Sequence, residues 1–167
     1  MNTKKITTLG LLTGVALILF IVEAQIPALV PIPGVKLGLA NIITIYAMYI
    51  LGPSDTLMIL VSRIFLGAVF SGNFSSILYS AAGGALAILT TIALRKLLKQ
   101  SQLWVAGCLG AIAHSIGQMA MAVTITATPG LIAYLPIMIA ASIVSGTFTG
   151  LCAQLLVNRG SIWKITS

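Results

Sequence analysis

Arg63 stands inside the apolar run Leu60-Val61-Ser62-Arg63-Ile64-Phe65. An ionisable group at mid-membrane costs at least about 2.5–3.5 kcal/mol on insertion scales, so it asks for a reason. A guanidinium there either snorkels or bonds a backbone carbonyl as structure, or it receives an anionic or carbonyl group of a ligand. Glu23 is one of only two acids in the chain and ends an apolar segment. It reads either as an interfacial carboxylate partnered by a base such as Lys36 or as a contact for substrate. His114 and Gln118 are four residues apart, hence on one helical face, with Met121 three further on. His, Gln and Met on one stripe suit the lining of a cavity for a partly polar, partly flat molecule. Asn41, Asn73, Ser75, Ser76, Tyr79 and Ser80 add hydrogen-bonding groups toward the outer half of the same region. The pattern predicts a membrane pocket that opens outward and takes a small-molecule substrate.

Other chemistries find no support in these residue types. The single His has no second His to complete a metal site. No Gly-rich loop ending in GK[ST] is present, so the chain is expected to hydrolyse no nucleotide itself. A Ser–His–acid triad would need an acid beside His114, and Glu23 and Asp55 belong near opposite membrane faces. Cys108 and Cys152 lie in apolar stretches without CxxC spacing and read as small buried residues. Neither a catalytic constellation nor a cofactor is expected. The formal charge of +7 reflects scarce acid rather than a basic run, which argues against a nucleic-acid surface.

The elements that must carry these residues are membrane helices. Of the 167 residues, 59% are hydrophobic and 7% charged, too few charges for a water-facing surface, where about 25% is usual. A span needs roughly 20 apolar residues. Spans are predicted over 6–26, over 37–51 (barely long enough), from beyond Asp55 to about 70, over 74–94, over 103–126 and over 131–157. Between them lie a turn with three prolines at 27, 31 and 33, then Gly52-Pro53-Ser54-Asp55, Ser71-Gly72-Asn73, the basic loop 95–100 and Thr128-Pro129-Gly130. Asp55 is placed to cap the third helix. The first span is read as retained, because its apolar run is long for a signal peptide.

Charge gives a separate check on this count. With both termini inside, Lys4, Lys5, Arg95, Lys96, Lys99, Arg159 and Lys164 all fall on the cytoplasmic side and only Lys36 outside. That asymmetry is the one the positive-inside rule requires. The expectation is a single domain over 1–167, an all-α integral membrane bundle of six transmembrane helices with cytoplasmic N and C termini. Helices in lipid associate where small residues let backbones approach. Gly10 and Gly14, extended by Ala16, form such a face on the first helix and Gly146 and Gly150 on the sixth. Each serves either packing within the bundle or a partner subunit.

Pro33-Gly34-Val35-Lys36-Leu37-Gly38-Leu39-Ala40-Asn41, Ser62-Arg63, Gly72-Asn73-Phe74-Ser75-Ser76 and Ala113-His114-Ser115-Ile116-Gly117-Gln118 together resemble the Gx transporter family. That family is often labelled heptaprenyl diphosphate synthase component I. It is similar in architecture to the substrate-binding S components of energy-coupling-factor (ECF) transporters. The resemblance implies a six-helix S-component fold in the cell membrane of a prokaryote, with a pocket gated by the loop between the first two helices. It also implies a coupling protein, docked on the first helix at Gly10, Gly14 and Ala16, that carries two ATPases. Glycines stand here where alanines are usual. The synthase label implies instead a non-catalytic membrane accessory of heptaprenyl diphosphate or quinone synthesis. Prenyl synthases hold Mg²⁺-diphosphate with clustered carboxylates, and this chain has one Asp.

Overall fold

The computed structural model describes residues 3–25, 38–72 and 74–160, and the regular structure in them is helical. α1 is Thr3–Gln25, α2 Asn41–Ile50, α3 Pro53–Ser71, α4 Ser75–Leu97, α5 Leu103–Thr126 and α6 Leu135–Gly160. Short 3₁₀ turns at Gln100–Gln102 and Pro129–Tyr134 lead into α5 and α6. Five segments are long and apolar enough to cross a membrane: α1, α3, α4, α5 and the stretch Pro129–Arg159 that contains α6. The chain is a multi-pass membrane protein.

α2 departs from the expected span. Its 10 residues rise only about 15 Å, half of a bilayer core of about 30 Å. Its start is set by a turn in which Gly38, at φ +73°, accepts at its carbonyl the amide of Asn41 (2.8 Å). At its other end the amides of Leu51 and Gly52 both reach the carbonyl of Ala47, at 2.8 and 3.0 Å. Gly52, at φ +99°, then reverses the chain, and Pro53 opens α3, where its missing N–H costs nothing.

Asp55 does not cap α3 as expected, because Gly52 occupies the cap position. As the third residue of the helix, Asp55 is buried and meets Lys5 of α1 at 2.8 Å. The helix N-terminus favours its negative charge as well. This ion pair ties the starts of α1 and α3 together at the basic end of the bundle.

An apolar core fills that same end. Met48, Ile59 and Leu103 are fully buried, and three apolar clusters join α1 to α3 through Leu9–Ala47–Ile59, α2 to α4 through Met48–Leu60–Ile88, and α2 to α6 through Ile45–Leu103–Ala153–Val157. On the outside, Leu11, Phe65, Phe70, Leu89, Val144 and Leu155 each expose more than half their surface. Hydrocarbon accepts such a surface where water would not.

The helices do not all approach equally closely. A Cβ on Gly107 of α5 would lie 2.5 Å from both the carbonyl oxygen of Gly146 and the Cα of Gly150 on α6. A Cβ on Gly117 would lie 2.6 Å from the carbonyl oxygen of Ala82 on α4. α4, α5 and α6 thus meet backbone to backbone, so Gly146 and Gly150 serve packing within the bundle. The small face of α1 behaves otherwise. Nothing lies within 4 Å of a Cβ built on Gly10 or Gly14, whereas Ala16 is completely buried. Ala16 therefore does not extend the glycine face: two residues beyond Gly14, it has rotated into the bundle.

Candidate ligand cavity

Away from the apolar core, side chains from all six helices converge on a cavity of about 70 Å³, several times the roughly 10–15 Å³ that one water requires. α5 supplies Ala111, His114, Ser115 and Gln118, a stripe at spacings of three and four. α6 supplies Met138, Ala141, Ser142, Ser145 and Thr149 at the same spacings. Phe20 and Glu23 come from α1, Asn41 from α2, Arg63 from α3 and Ser80 from α4. The walls rich in Ala and Ser are short side chains, which leave the centre of the bundle unfilled.

Two close contacts hold the aromatic and polar walls in place. A Cβ on Gly83 would lie 2.8 Å from Cγ of Gln118 and 2.9 Å from Cε1 of His114, so the absence of a side chain there lets both residues sit between α4 and α5. Phe20 rests on Gly67, whose added Cβ would be 3.1 Å from the ring. Ser115 and Ser142 share a hydrogen bond of 2.6 Å between α5 and α6. Ser142 donates its proton to the carbonyl of Met138 at 2.7 Å, so Ser115 is the donor of the pair.

The two charged groups on the wall differ in how they are satisfied. Glu23 is buried, and its oxygens accept the amides of Gly38 (2.5 Å) and Leu39 (3.0 Å). It belongs to the turn that starts α2. Arg63 is only 8% exposed, and its Nε has no hydrogen-bond partner among the described residues. Nδ1 of His114 is buried and also lacks one. Unfilled donors and acceptors of this kind are what a polar ligand completes.

Of the expected contacts, Glu23, Asn41, Arg63, His114 and Gln118 come together on this wall. Ser76, Tyr79 and Met121 are not part of it. On α4 the lining position is Ser80, one turn beyond Ser76. Met121 lies one turn past Gln118 toward the α5–α6 connection, beyond the end of the cavity. Lys36 and Asn73 lie outside the described residues. The whole contribution of α6 was missed from the sequence, although Ser142, Ser145 and Thr149 at spacings of three and four were a readable signal. Cys108 and Cys152 are free thiols, partly buried.

A helical bundle with spans of this length and a polar cavity at its centre defines a multi-pass membrane protein built around an internal site. The family model described as heptaprenyl diphosphate synthase component I matches residues 12–156, and the chain belongs to that family. No curated protein and no solved structure matches the chain.

Proposed function

We propose that the chain is the substrate-binding subunit of an uptake system for a small vitamin- or precursor-type molecule. In this reading it forms six membrane passes in the cell membrane of a prokaryote, with both termini cytoplasmic. The observation that carries the reading is the central cavity with Arg63 buried on its wall, its Nε without a partner among the described residues. The basic end, with Lys4, Lys5, Arg95, Lys96, Lys99 and Arg159, faces the cytoplasm by the positive-inside rule, so the cavity lies in the outer half. Energy comes from two separate ATPases through a coupling protein of the ECF type, since no nucleotide loop exists in this chain. Gly10 and Gly14, with open space beside them, supply the face on which a partner helix seats.

A second reading rests on the family description: a non-catalytic membrane component that works with heptaprenyl diphosphate synthase. The two make opposite demands on partners. Affinity purification from the native membrane, followed by mass spectrometry, separates them. Recovery of ATPases with a membrane coupling protein supports uptake, and recovery of an Asp-rich prenyl synthase without them overturns it.

A further inference from the structure

We infer that the cavity is built for a small organic monoanion, a monocarboxylate carrying hydroxyl or amide groups, with its carboxylate on Arg63. The inference deepens the uptake reading and rests on it. Glu23 and Arg63 both line the wall, and no ion pair within 4.0 Å joins them among the described residues. Glu23 already has an amide on each oxygen. Nε of Arg63 is buried and has no acceptor among the described residues. A buried guanidinium left in that state is completed best by a planar carboxylate, which takes two parallel N–H donors at once.

The number of charges follows from the neighbour. Glu23 lines the same cavity as Arg63. A negative group on the ligand is held best close to Arg63 and away from the Glu23 carboxylate. A phosphate dianion would bring a second charge toward Glu23 with no second cation on the described wall to offset it. Elsewhere on the lining, Asn41, Ser80, His114, Gln118 and Ser145 offer both donors and acceptors, beside the apolar Phe20, Ala111, Met138 and Ala141. The polar members fit hydroxyl and amide groups of a ligand. A cavity of about 70 Å³ has the size for a small solute.

Three probes of one skeleton test the charge: glycerate, glycerol and glycerol 3-phosphate, titrated calorimetrically into the whole protein in phosphatidylcholine nanodiscs. Glycerate is expected to bind, glycerol 3-phosphate at least tenfold more weakly, and glycerol not measurably. Arg63→Gln is expected to abolish glycerate binding. Arg63→Lys, which keeps the charge and loses the planar fork, is expected to weaken it tenfold or more while the melting temperature of the unliganded protein stays put. Glycerol binding as tightly as glycerate, tighter binding of the phosphate, no binding of glycerate, or undiminished binding by Arg63→Lys would each overturn the inference. Repeating the titration in phosphatidylglycerol nanodiscs separates a free solute from a lipid headgroup. Loss of glycerate binding there would assign Arg63 to lipid and overturn it too. Native mass spectrometry of protein purified without added ligand keeps the two proposals apart. A neutral or dianionic co-purified solute would sink the monoanion and leave the uptake reading standing. Co-purification with a prenyl synthase and no solute would sink both.

Discussion

The carboxylate of Glu23 holds the backbone amides of Gly38 and Leu39, which fastens the end of α1 to the turn that begins α2 and closes one side of the cavity. Hydrogen bonds to a charged group contribute about 1.5–3 kcal/mol each, and this carboxylate is buried. Glu23→Gln keeps the shape but turns one acceptor into an NH₂ donor that meets an amide donor. The expected outcome is a loss of about 1.5–3 kcal/mol and faster hydrogen exchange at Gly38, Leu39 and Ala40 than in the parent protein. Unchanged exchange at these amides would show that the clamp does not hold the turn.

Gly107→Ala is expected to be among the most damaging single changes in the chain. Its Cβ would sit 2.5 Å from Gly146 and Gly150 backbone atoms, with no flexible side chain to move aside. Overpacking of this kind costs about 1–3 kcal/mol and here separates two whole helices. Melting in detergent, followed by intrinsic fluorescence of Trp104 one turn away, measures it. A melting temperature equal to that of the parent would mean that α5 and α6 do not approach as closely as described.

Gly14→Leu probes the other small-residue face. Because nothing lies within 4 Å of a Cβ at this position, the isolated protein is expected to fold and to bind ligand as the parent does. Co-purification with the coupling protein should be lost, since a Leu side chain holds the two backbones apart. Retained co-purification would remove this face from the proposed docking surface. Loss of ligand binding in the isolated protein would make it part of the bundle instead.

Membrane orientation has its own test. Single cysteines introduced near Gly72 and Gly130, in a background with Cys108 and Cys152 replaced, are expected to react with an impermeant maleimide added outside intact cells. A cysteine at Gln100 is expected to react only after permeabilisation. External labelling at Gln100 would reverse the proposed topology and place the cavity toward the cytoplasm.

The sequence alone determined that this chain is a membrane protein, where most of its helices run, and which few polar residues needed explaining. The fifth helix was predicted over 103–126 and is found as Leu103–Thr126. The reason is local: a charge-poor apolar stretch of bilayer length, bounded by Pro, Gly or a basic loop, has little choice but a helix. Spacing also placed His114 and Gln118 on one face, and the cost of a buried charge singled out Arg63. Which way each helix turns its faces was decided only by the tertiary structure. In a soluble bundle the apolar stripe points inward, but here both lipid and interior are apolar, so hydropathy does not set the rotation. Close packing sets it instead, through partners far apart in sequence: Gly107 against Gly146 and Gly150, and Gly83 against His114 and Gln118. Those contacts bring Ser142, Ser145 and Thr149 to the cavity and leave Met121 off its wall, while on α1 Ala16 is buried and Gly10 and Gly14 have open space beside them.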